Sequence, residues 1–109
     1  MVANPKTILI VEDEPTLLQN IAAILQLNGF KTLLASSGFE GIAAAIANQP
    51  NLIICDVMME GMNGFEMIAQ LRANPDMQTI PFIFLTAWAD VNDKQRGIDA
   101  GAQAYLRMR

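Results

Sequence analysis

A chain of 109 residues with a formal charge of −4, from seven Lys+Arg against eleven Asp+Glu, has room for one hydrophobic core and no cationic patch for a phosphate backbone, which excludes a second catalytic domain and argues against direct nucleic-acid binding. It has no histidine and one cysteine, Cys55, so zinc patterns, Ser-His and Cys-His catalytic pairs and disulfide scaffolds are all excluded. No apolar run approaches the roughly 20 residues of a membrane span, and Met1-Val2-Ala3-Asn4-Pro5-Lys6 lacks a signal-peptide stretch, so the expected compartment is the cytoplasm.

Ile8 to Val11 is wholly apolar and stops at Glu12-Asp13-Glu14, which predicts a first strand covered on both faces. Pro15 then opens a helix whose stripe is Leu17, Leu18, Ile21, Ile24 and Leu25, ended by Asn28-Gly29. Phe30 to Ser36 predicts a second, weaker strand, and Ser37-Gly38-Phe39-Glu40 a capping box for a helix that ends before Pro50. Leu52 to Cys55 is a third strand, closing on Asp56. The loop Glu60-Gly61-Met62-Asn63-Gly64 leads into a helix carrying Phe65, Ile68 and Leu71 that ends near Asn74-Pro75. Pro81 to Leu85 is the fourth strand, closing on Thr86; a helix from Asp90 to Ala100 ends at Gly101, and Ala104-Tyr105-Leu106 begins a fifth strand.

Strands alternating with helices of about ten residues imply right-handed crossovers and a parallel sheet, an α/β doubly wound arrangement. Three buried runs end in polar residues, at Glu12-Asp13, at Asp56 and at Thr86, on the sheet edge where such folds bind ligands. For one such acid alone, a helix cap is an equally good reading, and the helix-one dipole favours acids at 12 to 14 in any case. Cys55 should point to the face opposite Asp56 and serve as a small buried hydrophobe. The methionines at 58, 59, 62 and 67 are mostly packing residues.

The strings I-L-I-V-E-D-E-P, C-D-V-M-M-E-G-M-N-G, F-L-T-A and G-A-Q-A-Y-L, in that order from about Lys6 to Leu106, resemble the receiver domain of bacterial two-component response regulators. The resemblance implies a flavodoxin-like, five-stranded parallel sheet of order 2-1-3-4-5, forming a single receiver domain over residues 1–109. It implies that Asp56 accepts a phosphoryl group from a phosphohistidine on a sensor histidine kinase or histidine phosphotransfer protein, with a downstream protein as the target. It implies Mg²⁺ held by Glu12, Asp13, Asp56 and the Met58 carbonyl. Thr86 would be the switch hydroxyl and Tyr105 the switch aromatic, turning from solvent into space that Thr86 vacates, although a half-buried edge-strand aromatic is the plainer reading of Tyr105. Trp88 and Met58 stand where the family adjusts water access.

Two positions depart from the family. Glu60 replaces a usual proline, and Met108 stands where a lysine would bond the phosphoryl oxygen, so coupling from phosphate to output is expected to be weak. The Met108 departure also admits a phosphorylation-independent interaction module as the alternative function. A flavodoxin is excluded because Glu12-Asp13-Glu14 would repel a cofactor phosphate, and a haloacid-dehalogenase-type phosphatase because Met58 stands where its second acid belongs. The sequence stops after strand five, so the family's fifth helix is absent, and a strip over strands three to five, including Leu52 to Cys55 and Phe82 to Leu85, is expected to be bare. Self-association through that face is the expected consequence.

Overall fold

The computed structural model describes residues 4–87 and 91–107. Within them the apolar runs form strands β1 (Thr7–Val11), β2 (Lys31–Ala35), β3 (Leu52–Cys55), β4 (Phe82–Thr86) and β5 (Ala104–Arg107), alternating with helices α1 (Pro15–Leu27), α2 (Gly38–Asn48), α3 (Gly64–Ala73) and α4 (Val91–Asp99). All strand pairs are parallel and the order is β2-β1-β3-β4-β5, as expected for a flavodoxin-like sheet. The order reverses between β1 and β3, where Val11 pairs with Cys55. Glu12 and Asp56, the next residues on each strand, therefore leave the sheet side by side.

Strand alternation divides the core. Leu9, Val11, Ile53, Cys55, Phe82, Phe84 and Tyr105 meet Ala45 of α2 and Met67, Ile68 and Leu71 of α3 on one face. Ile8 and Ile10 meet Leu18 and Ala22 of α1 on the other. Cys55 is fully buried with its sulfur 3.8 Å from that of Met67, the packing role expected of it.

Local chemistry moved two predicted features. Phe30 is not the start of the second strand: its N–H bonds the Leu25 carbonyl while Gly29, at φ 89°, bonds Gln26, a Schellman closure of α1 that ends before β2 begins. The Ser37–Glu40 box forms by half. Ser37 Oγ accepts the Glu40 N–H at 3.1 Å, but the Glu40 carboxylate accepts from the Ser36 hydroxyl at 2.9 Å instead of returning to the cap. A complete box opens α3, where Asn63 Oδ1 accepts from the Glu66 N–H and Glu66 Oε1 from the Asn63 N–H.

The bare strip is narrower than the sequence suggests. Ile53, Cys55, Phe82 and Phe84 face the larger core and are fully buried, while Leu52 and Ile54 pack against the α1 cluster. Ile83 and Leu85 of β4, partly exposed, and Leu106 of β5, 50% exposed, join neither core. Asp90, the expected start of the fourth helix, lies outside the described residues, as do Trp88, Met108 and Arg109. No helix of the described residues is long and apolar enough to cross a membrane.

Candidate functional site

The exits of β1 and β3 divide the acidic run by role. Glu14 is the N-cap of α1, its carboxylate accepting from the Thr16 and Leu17 N–H groups at 3.1 and 2.7 Å. That is the helix-cap reading, realised at one acid of three. Glu12 turns inward and is only 3% exposed, with its N–H on the Ala35 carbonyl and its Oε2 accepting the Glu14 N–H at 3.0 Å. Asp13 stays exposed, and its Oδ2 accepts the Glu60 N–H at 3.1 Å, which ties the β1 exit to the loop after β3. Asp56, half-buried, has Oδ1 held by the Val57 N–H at 2.7 Å.

Glu12, Asp13 and Asp56 each bring a carboxylate oxygen to within 4.8 Å of the other two. Octahedral oxygen ligands about 2.1 Å from Mg²⁺ stand roughly 3.0 to 4.2 Å apart, so the cluster is close to the size of a coordination shell and offers the hard donors that ion takes. Burial pushes the Glu12 carboxyl up to about 7; the Glu14 N–H opposes the rise, and the Asp56 charge and side-chain hydrogen bonds with Asp13 and Asp56 add to it. No cation is among the groups that act on it.

A pH dependence follows. The folded-state value, about 7, lies above the ordinary 4.5, so between these values the folded chain keeps a proton that the unfolded chain has lost. This contribution to stability is complete below the unfolded value and disappears as pH rises through the folded one. With no histidine in the chain, few other groups titrate there. The unfolding free energy from urea titration in Mg²⁺-free buffer is expected to fall between pH 5 and pH 8, by up to about 1 kcal/mol per pH unit, and Glu12→Gln is expected to flatten the fall.

Beyond the acids, the sheet brings Thr86 and Tyr105 to the same region. Thr86 ends β4 and is buried. Tyr105 departs from the half-buried edge aromatic expected of it: it is 5% exposed, its ring centroid 5.6 Å from that of Phe84, which it also pairs across the sheet. Gly97 of α4 permits this, because a Cβ there would come within 2.8 Å of Tyr105 Cδ2. Met58 is exposed in the loop after β3, and Arg107 ends β5 exposed, paired with Thr86. Side-chain patterns did not disclose the Val57 and Glu60 N–H groups that orient two of the acids, since every residue carries one. The Asn63-x-x-Glu66 cap was readable as a motif.

Comparison with known proteins agrees with this geometry. The family model described as "Response regulator receiver domain" matches residues 8–107. The chain is 36% identical to PilH of Pseudomonas aeruginosa over 99 residues, covering 91% of this chain and 82% of that protein. It is 35% identical over 99 residues to RpaA, a "DNA-binding dual master transcriptional regulator" of Synechocystis, covering 91% of this chain and 41% of that protein. Against response regulator MprA of Mycobacterium it is 35% identical over 102 residues, 94% of this chain and 44% of that one, so it spans less than half of these two longer relatives. The structure of the chemotaxis protein CheY4 of Vibrio cholerae superposes with a TM-score of 0.90 at 30% identity, covering 95% of this chain and 87% of that one. TrrA of Thermotoga maritima, solved in complex with Mg²⁺-BeF, gives a TM-score of 0.85 at 27% identity and the same coverages.

Proposed function

Because the chain belongs to the response regulator receiver domain family, we propose that Asp56 is the phosphoacceptor of a two-component signalling switch. The observation that carries this reading is the convergence of Glu12, Asp13 and Asp56 where the strand order reverses. Glu12, Asp13, Asp56 and the Met58 carbonyl would hold Mg²⁺, which when bound cancels clustered negative charge and neutralises the phosphoryl oxygens. The Val57 N–H fixes one Asp56 oxygen and leaves the other to attack a phosphohistidine in line. An O–P bond forms as the P–N bond breaks, and the donor imidazole keeps the electron pair. The Thr86 hydroxyl then turns toward a phosphoryl oxygen, and the space it leaves changes the packing of Tyr105 against Phe84 and α4. The partners of this reading are a sensor kinase or phosphotransfer protein as donor and a downstream protein as target, in the cytoplasm. Incubation with a small acyl-phosphate donor and Mg²⁺ should add one base-labile phosphoryl group by intact mass, and no uptake would overturn the assignment.

Asp13→Ala is expected to weaken Mg²⁺ binding at least about tenfold by calorimetry, since a hard ion loses one of its few charged ligands. An unchanged affinity would mean that the ion site lies elsewhere.

A second copy is the proposed occupant of the strip formed by Ile83, Leu85 and Leu106. Ile83, Leu85 and Leu106 carry no charge to oppose self-contact, and burying the part of each side chain still exposed gains a fraction of the roughly 1.5–3 kcal/mol of full burial, before the cost of association. Sedimentation equilibrium is expected to show a dimer at micromolar concentration that Leu106→Glu dissociates. A wild-type monomer there would remove the proposal.

A further inference from the structure

The phosphoacceptor carboxylate is aimed through a short relay that starts on another element. Asp56 Oδ1 accepts the Val57 N–H at 2.7 Å, and the carbonyl of that same residue accepts the Gly64 N–H at 2.9 Å. Gly64 is the first residue of α3, and the reciprocal Asn63–Glu66 box fixes it in place. The Val57 residue is thus held at both ends, by the carboxylate it orients and by the first turn of a capped helix.

That approach needs a residue without a Cβ. An ideal Cβ on Gly64 would overlap the Asp56 carbonyl oxygen, and would lie 2.9 Å from Phe84 Cε1 and 3.1 Å from the Val57 Cα. Two of these three atoms belong to the backbone of residues 56 and 57, which no rotamer change can move aside. Phe84 offers no relief, since it is fully buried among Phe65, Phe82 and Tyr105. Any side chain at position 64 must push α3 away from β3 or turn the peptide that follows Asp56.

We propose that Gly64 is a positioning residue for the phosphoacceptor: its bare Cα lets the α3 N-terminus lock Val57, whose N–H sets the direction of the Asp56 carboxylate. The proposal rests on the reading of Asp56 as phosphoacceptor. It assigns part of the site's precision to a residue that touches neither metal nor phosphoryl group.

The test compares wild-type protein with Gly64→Ala, and with Leu18→Ala as a destabilised control in the α1 core on the opposite face of the sheet. Phosphoryl uptake from a small acyl-phosphate donor is followed by intact mass, and the Val57 amide by nitrogen-15 NMR, because a hydrogen bond to a carboxylate gives that proton its own signature. Gly64→Ala is expected to slow uptake at least about tenfold and shift the Val57 resonance, while Leu18→Ala stays within about twofold with that resonance in place. Uptake within about twofold of wild type in Gly64→Ala, with the Val57 signal unmoved, overturns the proposal, as does equal slowing in Leu18→Ala. If Gly64→Ala fails to fold, Asn63→Ala, which only frays the cap, is expected to slow uptake about threefold and shift Val57 in the same direction, and no change in either overturns the proposal. If wild-type protein takes up no phosphoryl group on Asp56, the phosphoacceptor reading fails, and the Val57 resonance in Gly64→Ala decides alone whether residue 64 aims the carboxylate.

Discussion

Asp56→Asn is expected to abolish phosphoryl uptake while leaving the fold intact. An amide matches the carboxylate in shape, and its oxygen still accepts the Val57 N–H, so the end of β3 keeps its hydrogen bond. The variant loses the anionic oxygen that attacks phosphorus, and an amide is too poor a nucleophile to replace it. The rate should fall by at least on the order of 10³-fold, read as absence of the mass shift. The same change removes a charge that acts on Glu12, so the Glu12 carboxyl should titrate closer to its ordinary range. Asp56→Asn is therefore expected to be at least as stable as wild type at pH 8 without Mg²⁺, and less responsive to added Mg²⁺. A phosphoryl group persisting in Asp56→Asn would assign the nucleophile to another carboxylate of the cluster, with Asp13 the first to examine.

Much of this site was legible because the chemistry sits at the ends of apolar runs. Ile8 to Val11 and Leu52 to Cys55 read as strands from their short, branched apolar runs, and acids directly after two such strands of a parallel sheet must converge if the strands are neighbours. The family resemblance singled out Glu12 and Asp13 for the metal, but the residues by themselves did not make legible which acid does what. Glu12, Asp13 and Glu14 are equivalent on paper, and only the exit of β1 sends one inward, one to the Glu60 N–H and one onto α1. Tyr105 illustrates a second limit, since its burial depends on Gly97 of another helix. The Phe30 boundary illustrates a third: a hydrophobic residue with strand propensity was claimed by the closure of α1. The exposed strip is confined to Ile83, Leu85 and Leu106, because the apolar runs of β3 and β4 send alternate residues to the two faces and a run of letters does not separate them.

Phe84→Ala should produce the largest loss of stability of any single truncation in the core. Its ring is fully buried, 5.3 Å from Phe65, 4.9 Å from Phe82 and 5.6 Å from Tyr105 by ring centroids. It also lies against Gly64 of α3 and Gly97 of α4, where neither residue has a Cβ to fill a gap. The walls of the cavity therefore belong to β4, β5, α3 and α4 together, and no single side chain can relax into it. Phe→Ala at such a site costs about 3–5 kcal/mol, against the roughly 5–15 kcal/mol that holds a domain of this size. Phe84→Leu keeps most of the volume and should cost less than about 1.5 kcal/mol. The difference tests function as well as packing, because Phe84 is the inner wall for Tyr105, and Phe65 carries the Arg96 guanidinium of α4 4.1 Å above its ring. Urea unfolding measures the cost. If Phe84→Ala lost less than about 1 kcal/mol, the elements around it would be able to close over a deleted ring, and α4 could not be held in one place by its packing on Tyr105.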